Sequence, residues 1–505
     1  MSVSIGRQRV SAKGWIVRPS AMVRGLAGAC AMAWLLAGCT SIDQTNPKPS
    51  VEAAALPDAA PKTTGVDSPA IREHKQLVHV FGGEYHSVAT EKLLDEVLAK
   101  LAVASEVPSI PYKLTILNSP VVNAFALPSG RIYVTRGLLA LANDTSEVAA
   151  VMAHEIAHVT ARHATQRAEI EKQSAVISQA ANVIEDRNKG RSFQAYAQLS
   201  LASFSRLQEL EADRIGVHTI ARAGYDPYAA SRFLQSLGRS SAMRQSLFGQ
   251  ASVDKPDMMS THPSTPERIE RAIGEARQIG APGIGEIGRD RYLAAIDGLP
   301  FGDDPAEGFV RGVQFVHPKL GFAFTAPDGF VLENSAQAVL GIANGGEEAL
   351  RLDRVHVPAE TTLQAYLVSG WIDGLQEGSV ENIVVNGFQA ATATAKGSEW
   401  TFRLAAIRYG GEVYRMIFAA KTLSDADDRA FRTSINTFRK ITPDEAKNVR
   451  PMRIDIVTAS DSDTEESLVA KMKAADRPLD LFRVLNDVEG GAALKGSQRY
   501  KIVTE

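Results

Sequence analysis

Hydrophobic positions follow two different spacings along this chain of 505 residues. Before residue 280, apolar residues recur every three or four positions, which is typical of amphipathic helices, most clearly over residues 87–104 and 147–163. After residue 311, short runs alternate between apolar and polar residues, which is typical of half-buried strands. The predicted strands cover residues 321–326, 338–342, 349–355, 390–395, 401–406 and 413–419, and helices are predicted at 361–375 and 424–437. The pattern predicts a helical region followed by an α+β region.

Three short alternating runs interrupt the helical region and predict a small sheet beside the helix at 147–163. They cover residues 113–117, 124–127 and 131–135. Further helices are predicted over residues 165–188, 193–220 and 265–276 and after Pro227, with a polar loop over residues 240–262. The fold class is therefore multidomain: a mainly α-helical domain with a small β-sheet, then an α+β accessory domain, and a small C-terminal βααβ module.

The helix at 147–163 contains the motif His154-Glu155-Ile156-Ala157-His158. Two histidines four residues apart lie on one face of a helix, so both imidazoles can reach one metal ion. Glu155 lies beside such an ion, where its carboxylate can take a proton from water. The alternative is a helix whose polar face carries these residues by coincidence, since short motifs give false positives.

Catalytic zinc has three protein ligands and one open position, so a third ligand must follow further along the chain. The metzincin continuation would need Gly and His where this chain has Ala161 and Ala164, which excludes that class. Glu209 and Asp213 are again four residues apart on a predicted helix. One carboxylate can bind the metal while the other accepts the N–H of a ligating histidine. Taken alone, these residues would be typical of an exposed acidic turn.

With these residues the chain resembles the HtpX and CAAX-prenyl-endopeptidase family of gluzincin zinc metallopeptidases. Within that family it is most similar to the soluble periplasmic lipoprotein branch that includes BepA and LoiP. Residues 118–130, with the sequence NSPVVNAFALPSG, resemble the strand with which the family binds substrate. Thr261-His262-Pro263 with Arg268 resembles the family's late His-Pro element. The resemblance covers about residues 76–275.

The resemblance implies a zinc endopeptidase that binds one Zn²⁺ per chain. The implied metal ligands are His154, His158 and Glu209, and the implied catalytic residues are Glu155, Asp213, His262 and Arg268. Zinc held in this way lowers the pKa of water to about 7, and Glu155 would take the proton and pass it to the leaving amine. Two roles stay open for His262. It stabilises the oxyanion, a role that Arg268 could have instead, or it occupies the fourth metal position as a gate that keeps the enzyme latent.

The resemblance also implies that Asn123, Ala124 and Phe125 bind the substrate. If these residues form the edge of the small sheet, their open strand can pair with an extended peptide through main-chain hydrogen bonds. An ordinary buried strand is the alternative.

The N-terminus is predicted to be a secretion signal. Residues 1–38 contain five basic residues and no acidic one, and they include an apolar run too short to span a membrane. The sequence Leu36-Ala37-Gly38-Cys39 resembles the lipobox of bacterial lipoproteins. We therefore expect lipidation of Cys39 and residence on the periplasmic face of the bacterial outer membrane. An ordinary secretory signal with an incidental cysteine is the alternative.

Composition limits the expected partners. The chain has a formal net charge of −3, and the part after residue 38 carries −8 once the five basic residues of the signal are removed. Such a chain shows no basic footprint for nucleic acid. With Cys30 in the signal and Cys39 lipidated, no cysteine remains for a disulfide. The expected partners are protein or peptide substrates, the outer membrane through the lipid anchor, and outer-membrane protein assembly machinery or peptidoglycan.

The predicted domains follow these changes of pattern. They are a signal peptide (1–38), a disordered tether (39–75), a zinc metallopeptidase domain (76–278), a linker (279–310), the α+β accessory domain (311–445) and the C-terminal module (450–505). The module resembles a LysM module in its strand–helix–helix–strand order. Ser462 and Ser497 stand where that family has glycine. A glycan-binding module and a degenerate structural module therefore remain alternatives.

Together these expectations describe a zinc-dependent endopeptidase that acts on misfolded or misassembled periplasmic and outer-membrane proteins. The rival class is a non-proteolytic lipoprotein scaffold or chaperone that binds outer-membrane proteins or peptidoglycan. A complete set of ligands with Glu155 at working spacing favours the enzyme, because a scaffold has no need of those residues.

Overall fold

The computed structural model of the protein describes residues 68–168, 204–248, 258–335, 337–473, 475 and 477–505. The predicted signal, Cys39 and most of the predicted tether lie outside these residues. So do most of the helix predicted at 165–188 and the first part of the helix predicted at 193–220. The described residues form helices and four β-sheets, and none of their helices is long and apolar enough to cross a membrane.

The region before residue 300 is mainly helical, as predicted. Its helices are α1 (Pro69–Val80), α2 (Val88–Ala104), α3 (Arg136–Leu141), α4 (Thr145–Thr160), α5 (Arg206–Arg222), α6 (Ala229–Phe248), α7 (Met258–Thr261), α8 (Pro266–Ile279) and α9 (Arg289–Ile296). Its strands are β1 (Lys113–Leu117), β2 (Ala124–Ala126) and β3 (Arg131–Thr135). They lie in the order β1-β3-β2, with β1 parallel and β2 antiparallel to β3, so that β2 forms an edge.

Helix α4 is the central helix of this region. Asp144 caps its start by accepting a hydrogen bond from the Glu147 N–H at 2.9 Å, and alanines favour the helical backbone that follows. Every residue from Thr145 to His158 is buried, and α4 packs against α2, α5, α6 and β2. The helix ends near Arg162, whose φ of 57° is the left-handed conformation that commonly terminates helices.

The region from about residue 305 to 448 is rich in β-strands and has hydrophobic clusters of its own. One sheet contains β5 (Phe309–Arg311), β6 (Gln314–His317), β7 (Phe322–Thr325) and β15 (Arg439–Lys440). A seven-stranded antiparallel sheet contains β8 (Val331–Asn334), β9 (Ala338–Ala343), β10 (Glu348–Val355), β11 (Glu381–Val385), β12 (Phe388–Lys396), β13 (Thr401–Tyr409) and β14 (Glu412–Ala420). The accompanying helices are α10 (Leu363–Leu367), α11 (Asp425–Asn436) and α12 (Pro443–Asn448).

The last segment packs into the core of the helical region. It consists of β16 (Met452–Thr458), α13 (Glu465–Val469), α14 (Pro478–Asn486) and β17 (Arg499–Thr504). Strand β4 (Pro300–Phe301) adds to the sheet at β16. Phe482, Leu485 and Ile502 belong to the same buried cluster as Leu138 of α3. The segment and the helical region therefore share one hydrophobic core.

Two boundary predictions were wrong. The predicted tether extends to residue 75, but α1 begins at Pro69, where Ser68 caps the helix and a first-turn proline suits it. The predicted linker at 279–310 contains α9 and β4. Tyr292 and Ile296 of α9 are buried in the shared core, and this packing stabilises the helix. The glycines and prolines around α9 led to the prediction of a linker.

Two predictions of secondary structure were also wrong. Of the polar loop predicted at 240–262, residues 240–248 belong to α6 and residues 258–261 form α7, while residues 249–257 lie outside the described residues. The polar side chains of 240–248 lie mostly on partly exposed faces of a long helix. The helix predicted at 361–375 is limited to α10, and Gly370 follows it with a φ of 88°, which α-helices do not contain.

Candidate metal centre

The predicted ligands converge where α4, α5 and the turn after α7 meet. Helix α4 contributes His154 and His158, and α5 contributes Glu209. The two helices approach closely at Gly216, where an added Cβ would lie 3.3 Å from the backbone nitrogen of His154. The turn between α7 and α8 brings His262 to the same place. The ligand atoms of these four buried residues all lie within 4.8 Å of one another.

The spacing of these atoms fits a metal ion. The His154 Nε2 atom lies 3.0 Å from His158 Nε2 and 3.3 Å from His262 Nδ1. Glu209 Oε1 lies 3.5 Å from His158 Nε2 and 2.9 Å from His262 Nδ1. Tetrahedral zinc with bonds of 2.0–2.2 Å separates its ligand atoms by about 3.3–3.6 Å. Imidazole nitrogens that face one another in a buried site need a proton or a cation between them, and a zinc ion meets that need.

The predicted supporting residues surround this cluster. Asp213 Oδ1 lies 3.0 Å from His154 Nδ1, the ring nitrogen that faces away from the cluster. Arg268 donates two hydrogen bonds of 2.7 Å to the Asp213 carboxylate and lies 2.8 Å from Glu209 Oε2. Such a bidentate pair fixes the orientation of both groups. The Arg268 guanidinium thus holds both Glu209, the candidate third ligand, and Asp213, the carboxylate behind His154.

His163 and Phe204 are two further residues of the site that the sequence did not indicate. The His163 side chain is fully buried, and its Nδ1 lies 2.9 Å from His158 Nδ1, so it holds the second histidine as Asp213 holds the first. The ring of Phe204 stacks on His158 with centroids 3.8 Å apart. The left-handed turn at Arg162 returns His163 toward α4. A histidine five residues after the motif is a weak signal, because it lies beyond the helix.

The charges of the site act strongly on one another. Burial lowers the pKa of His154, but the Asp213 and Glu209 carboxylates outweigh it and raise that pKa to about 10. Burial holds the pKa of His158 well below its ordinary value. Burial opposes charge on Glu209 too, yet the three histidines lower its pKa overall. A metal ion would displace the proton on His154, so its binding is coupled to proton release.

Glu155 lies at the side of the cluster rather than within it. Its side chain is buried, and its Oε1 atom lies 3.6 Å from His262 Nε2. Burial raises the pKa of Glu155, although His262 and His154 oppose the shift. A carboxylate with a raised pKa beside a metal site is suited to accept and return a proton near neutral pH.

The predicted substrate-binding residues lie at the edge of the sheet but are covered. Asn123 and Ala124 are fully buried, and β2 packs against α4. The Phe125 ring stacks on Tyr133 with centroids 4.8 Å apart, beneath α1. The Phe125 side chain therefore serves the core, and a substrate could meet this stretch through its backbone.

Comparison with known proteins gives the family of this site. The sequence pattern of peptidase family M48 matches residues 89–276. The beta-barrel assembly-enhancing protease of Escherichia coli K12 is 30% identical over 194 residues, which cover 36% of this chain and 38% of that protein. The mitochondrial metalloendopeptidase OMA1 of Arabidopsis thaliana is 36% identical over 169 residues, which cover 33% of this chain and 32% of that protein. The chain thus spans about a third of the length of these relatives.

A solved structure, cyanobacterial PsbP (CyanoP) from Synechocystis, aligns with 28% of this chain and 98% of its own, at 16% identity and a TM-score of 0.22. That likeness is too low to inform the fold. The family pattern, in contrast, covers the region that contains the cluster from His154 to His262. Residues 89–276 therefore match peptidase family M48, in agreement with the predicted resemblance to gluzincin metallopeptidases, and the cluster of His154, His158, Glu209 and His262 fits the zinc that this family uses.

Proposed function

We propose that this protein is a zinc-dependent endopeptidase. The observation that carries the proposal is the convergence of His154, His158 and Glu209 with Glu155 directly beside them. Zinc bound there supplies a Lewis acid that acidifies water and polarises the carbonyl of the scissile bond. The Glu155 carboxylate takes the proton of the attacking water and returns it to the leaving amine.

The surrounding residues keep this arrangement in place. Asp213 and His163 face the outer nitrogens of the two histidines of the motif, and such contacts fix the tautomer and the ring orientation. Arg268 links Asp213 to Glu209 and compensates part of their charge. Arg268 lies behind these carboxylates, so we assign it a positioning role rather than an oxyanion contact.

We further propose that the enzyme is latent and that His262 is its gate. The Nδ1 atom of His262 lies close to both His154 and Glu209, and its side chain is 2% exposed. Four protein groups are then available to the metal, whereas catalytic zinc has three protein ligands and one open position. The buried position of His262 supports the gate over the oxyanion contact.

The substrates are proposed to be misfolded or misassembled proteins of the periplasm and outer membrane. A relative carries the name beta-barrel assembly-enhancing protease, which supports this substrate class and a link to outer-membrane protein assembly. The lipobox-like stretch before Cys39 supports anchoring to the periplasmic face of the outer membrane. Peptidoglycan remains a candidate ligand of the C-terminal segment.

The Glu155→Gln variant tests the catalytic proposal. We expect cleavage of an unfolded protein such as casein to fall about 10²–10⁴-fold, because the general base is lost. The zinc content, measured by mass spectrometry, and the melting temperature should stay at wild-type values. Glu270→Gln, which changes an exposed carboxylate on α8, is the control and should cleave normally. Wild-type cleavage by a zinc-loaded Glu155→Gln protein, or a wild-type chain that binds no zinc, would refute the proposal.

The Cys39→Ser variant tests the anchor. Loss of the thiol removes the site of lipid attachment, and each acyl CH₂ contributes about 0.8 kcal/mol to membrane binding. We expect the variant to leave the membrane fraction or to retain its signal, while the mass of the wild-type chain includes the lipid. Unchanged mass and fractionation would mean that Cys39 is not lipidated.

A further inference from the structure

The segment that carries His262 also reaches the edge of the small sheet. Met258, the first residue of α7, donates its backbone N–H to the Val122 carbonyl at 3.0 Å. The next carbonyl, that of Asn123, accepts from Thr135 of β3 at 3.0 Å. Because carbonyls alternate in direction along an extended chain, the Val122 carbonyl points to the open side. Met258 therefore occupies a hydrogen-bonding position that an added peptide strand would use.

The Met258 side chain fills a pocket beside the metal centre. It is 3% exposed and belongs to the same apolar cluster as Ala150, Val151 and Phe233. A cavity of about 30 Å³ remains beside it, and His154 lines that cavity. This space holds little more than one water molecule. Met258 thus occupies most of an apolar pocket formed by α4, α5 and α6.

Met258 and His262 are coupled through the backbone. The N–H of His262 donates to the carbonyl of Met258 at 2.7 Å, which closes one helical turn. One displacement of this turn would free the metal position and empty the pocket together. The contacts of α7 are thus those of a bound peptide: a backbone bond at the strand edge and an apolar side chain beside the metal ligands.

We propose that this pocket is the specificity subsite of the peptidase and that Met258 occupies it in place of a substrate side chain. The inference rests on the proposed function of the site. The ligand is an apolar side chain of the size of methionine or leucine, on one fixed side of the scissile bond.

Two features of the pocket set this preference. Its walls are apolar, and the charged groups that line it, Asp213 and Arg268, are paired with each other at 2.7 Å. A carboxylate or ammonium group of a substrate would therefore be buried without a partner, which is strongly unfavourable. The space vacated by Met258, together with the small cavity, suits a side chain of similar volume, and a larger ring would overpack it.

Mapping of cleavage sites tests the subsite. The zinc-loaded wild-type chain and Glu155→Gln are incubated with a denatured protein mixture, and the products are sequenced by mass spectrometry. Sites that depend on Glu155 should carry Met or Leu at one fixed position, about tenfold or more in excess over Asp and Lys. Phe233→Ala, which enlarges the pocket, should shift that position toward Phe and Tyr. Leu320→Ala, which changes a cavity that neither Met258 nor Val122 lines, should leave the preference unaltered.

Oxidation of Met258 provides a second test that needs no cleavage. Glu155→Gln is treated with dilute peroxide, alone and with a seven-residue peptide whose central residue is Leu. Oxidation of the buried Met258 should rise about tenfold or more when the Leu peptide displaces it, whereas a peptide with central Asp should have no effect. The partly buried Met243 of α6 is the internal control.

The outcomes separate the two proposals. Absence of Glu155-dependent cleavage in both the wild type and the ungated His262→Ala variant would refute the proposed function, while exposure of Met258 by the Leu peptide would still support the pocket as a peptide-binding subsite. Glu155-dependent cleavage without a preference at a fixed position would overturn the subsite alone. If Phe233→Ala does not fold, Val151→Ala enlarges the same pocket by less and carries the same expectation.

Discussion

The two ends of α4 are both buried and both charged, but their charges are balanced in different ways. At the N-terminal end, Arg232 pairs with Asp144 at 3.0 Å and with the buried Asp226, and it lies 3.6 Å from Glu147. Lys501 of β17 is fully buried there and donates to the carbonyls of Ala140, Leu141 and Ala142 at 2.8–3.1 Å. Each of these carboxylates and carbonyls is thus contacted by a cation of the protein, and two cations, Arg232 and Lys501, lie at this end.

At the metal end, three buried carboxylates meet less positive charge. Glu155, Glu209 and Asp213 are contacted by one guanidinium, that of Arg268, and by histidines that are charged only when protonated. The difference of two charges is what a divalent ion would supply. A buried charge without a partner is unfavourable. We therefore infer that the charges at the N-terminal end stabilise the fold, whereas those at the metal end require a bound ion. Mutations at the two ends should therefore affect different properties.

Lys501→Met is expected to have the largest effect, and on stability. It removes the cation that satisfies the end of α3 and leaves three buried carbonyls and Glu147 without it. The free energy of unfolding, measured by urea titration, should fall by about 3–5 kcal/mol. Cleavage per folded molecule should not change, because the metal end is intact. Lys473→Met, an exposed position of the same segment, should change stability by about 0.5 kcal/mol at most.

His262→Ala, in contrast to Lys501→Met, should change the activity more than the stability. If His262 is a gate, its loss should raise basal cleavage at least about tenfold, since competent minor states are typically populated at 0.1–10%. Zinc affinity should change little, because three ligands remain. A 10²–10³-fold loss of turnover with unchanged zinc affinity would instead make His262 an oxyanion contact. The unfolding free energy should be less affected than in Lys501→Met.

The smallest expected effect is a dependence of stability on pH. Burial lowers the pKa of Lys501 to about 7, although Glu147 opposes the shift. The folded protein then binds fewer protons than the unfolded chain between that pKa and the ordinary value near 10.5. Stability should therefore rise with pH in this window, by at most about 1.4 kcal/mol per pH unit. Urea titrations of wild type and Lys501→Met from about pH 7 to about pH 9 should show this rise in the wild type alone.

Local patterns were sufficient for several parts of the site. His154 and His158 share a helix face because their spacing matches the helical repeat, and the same reasoning placed Glu209 and Asp213 together. The three short strands were also predictable, because alternation is a property of neighbouring residues. Each of these features depends on residues within about five positions of one another.

Longer-range contacts had weaker signals. His163 lies beyond the end of α4 and meets His158 only because the chain turns back at Arg162. The sequence predicts a linker where helix α9 lies, because the burial of α9 depends on α2 and on the last segment rather than on its own composition. The C-terminal segment was predicted from its local order of elements, but its shared core with the helical region was not.

The sequence by itself predicted the chemistry of this protein: the two histidines, the adjacent glutamate and the following pair of carboxylates have the spacing of a metallopeptidase set. The family resemblance implied His262, but only the tertiary structure brought its Nδ1 atom to 3.3 Å from His154 and 2.9 Å from Glu209. Tertiary structure alone decided that Met258 lies in the pocket beside the cluster and that Lys501 supports the far end of the same helix. The reason is physical. Hydrophobic burial is non-directional, so the meeting of distant segments depends on how the whole core packs and not on any local repeat.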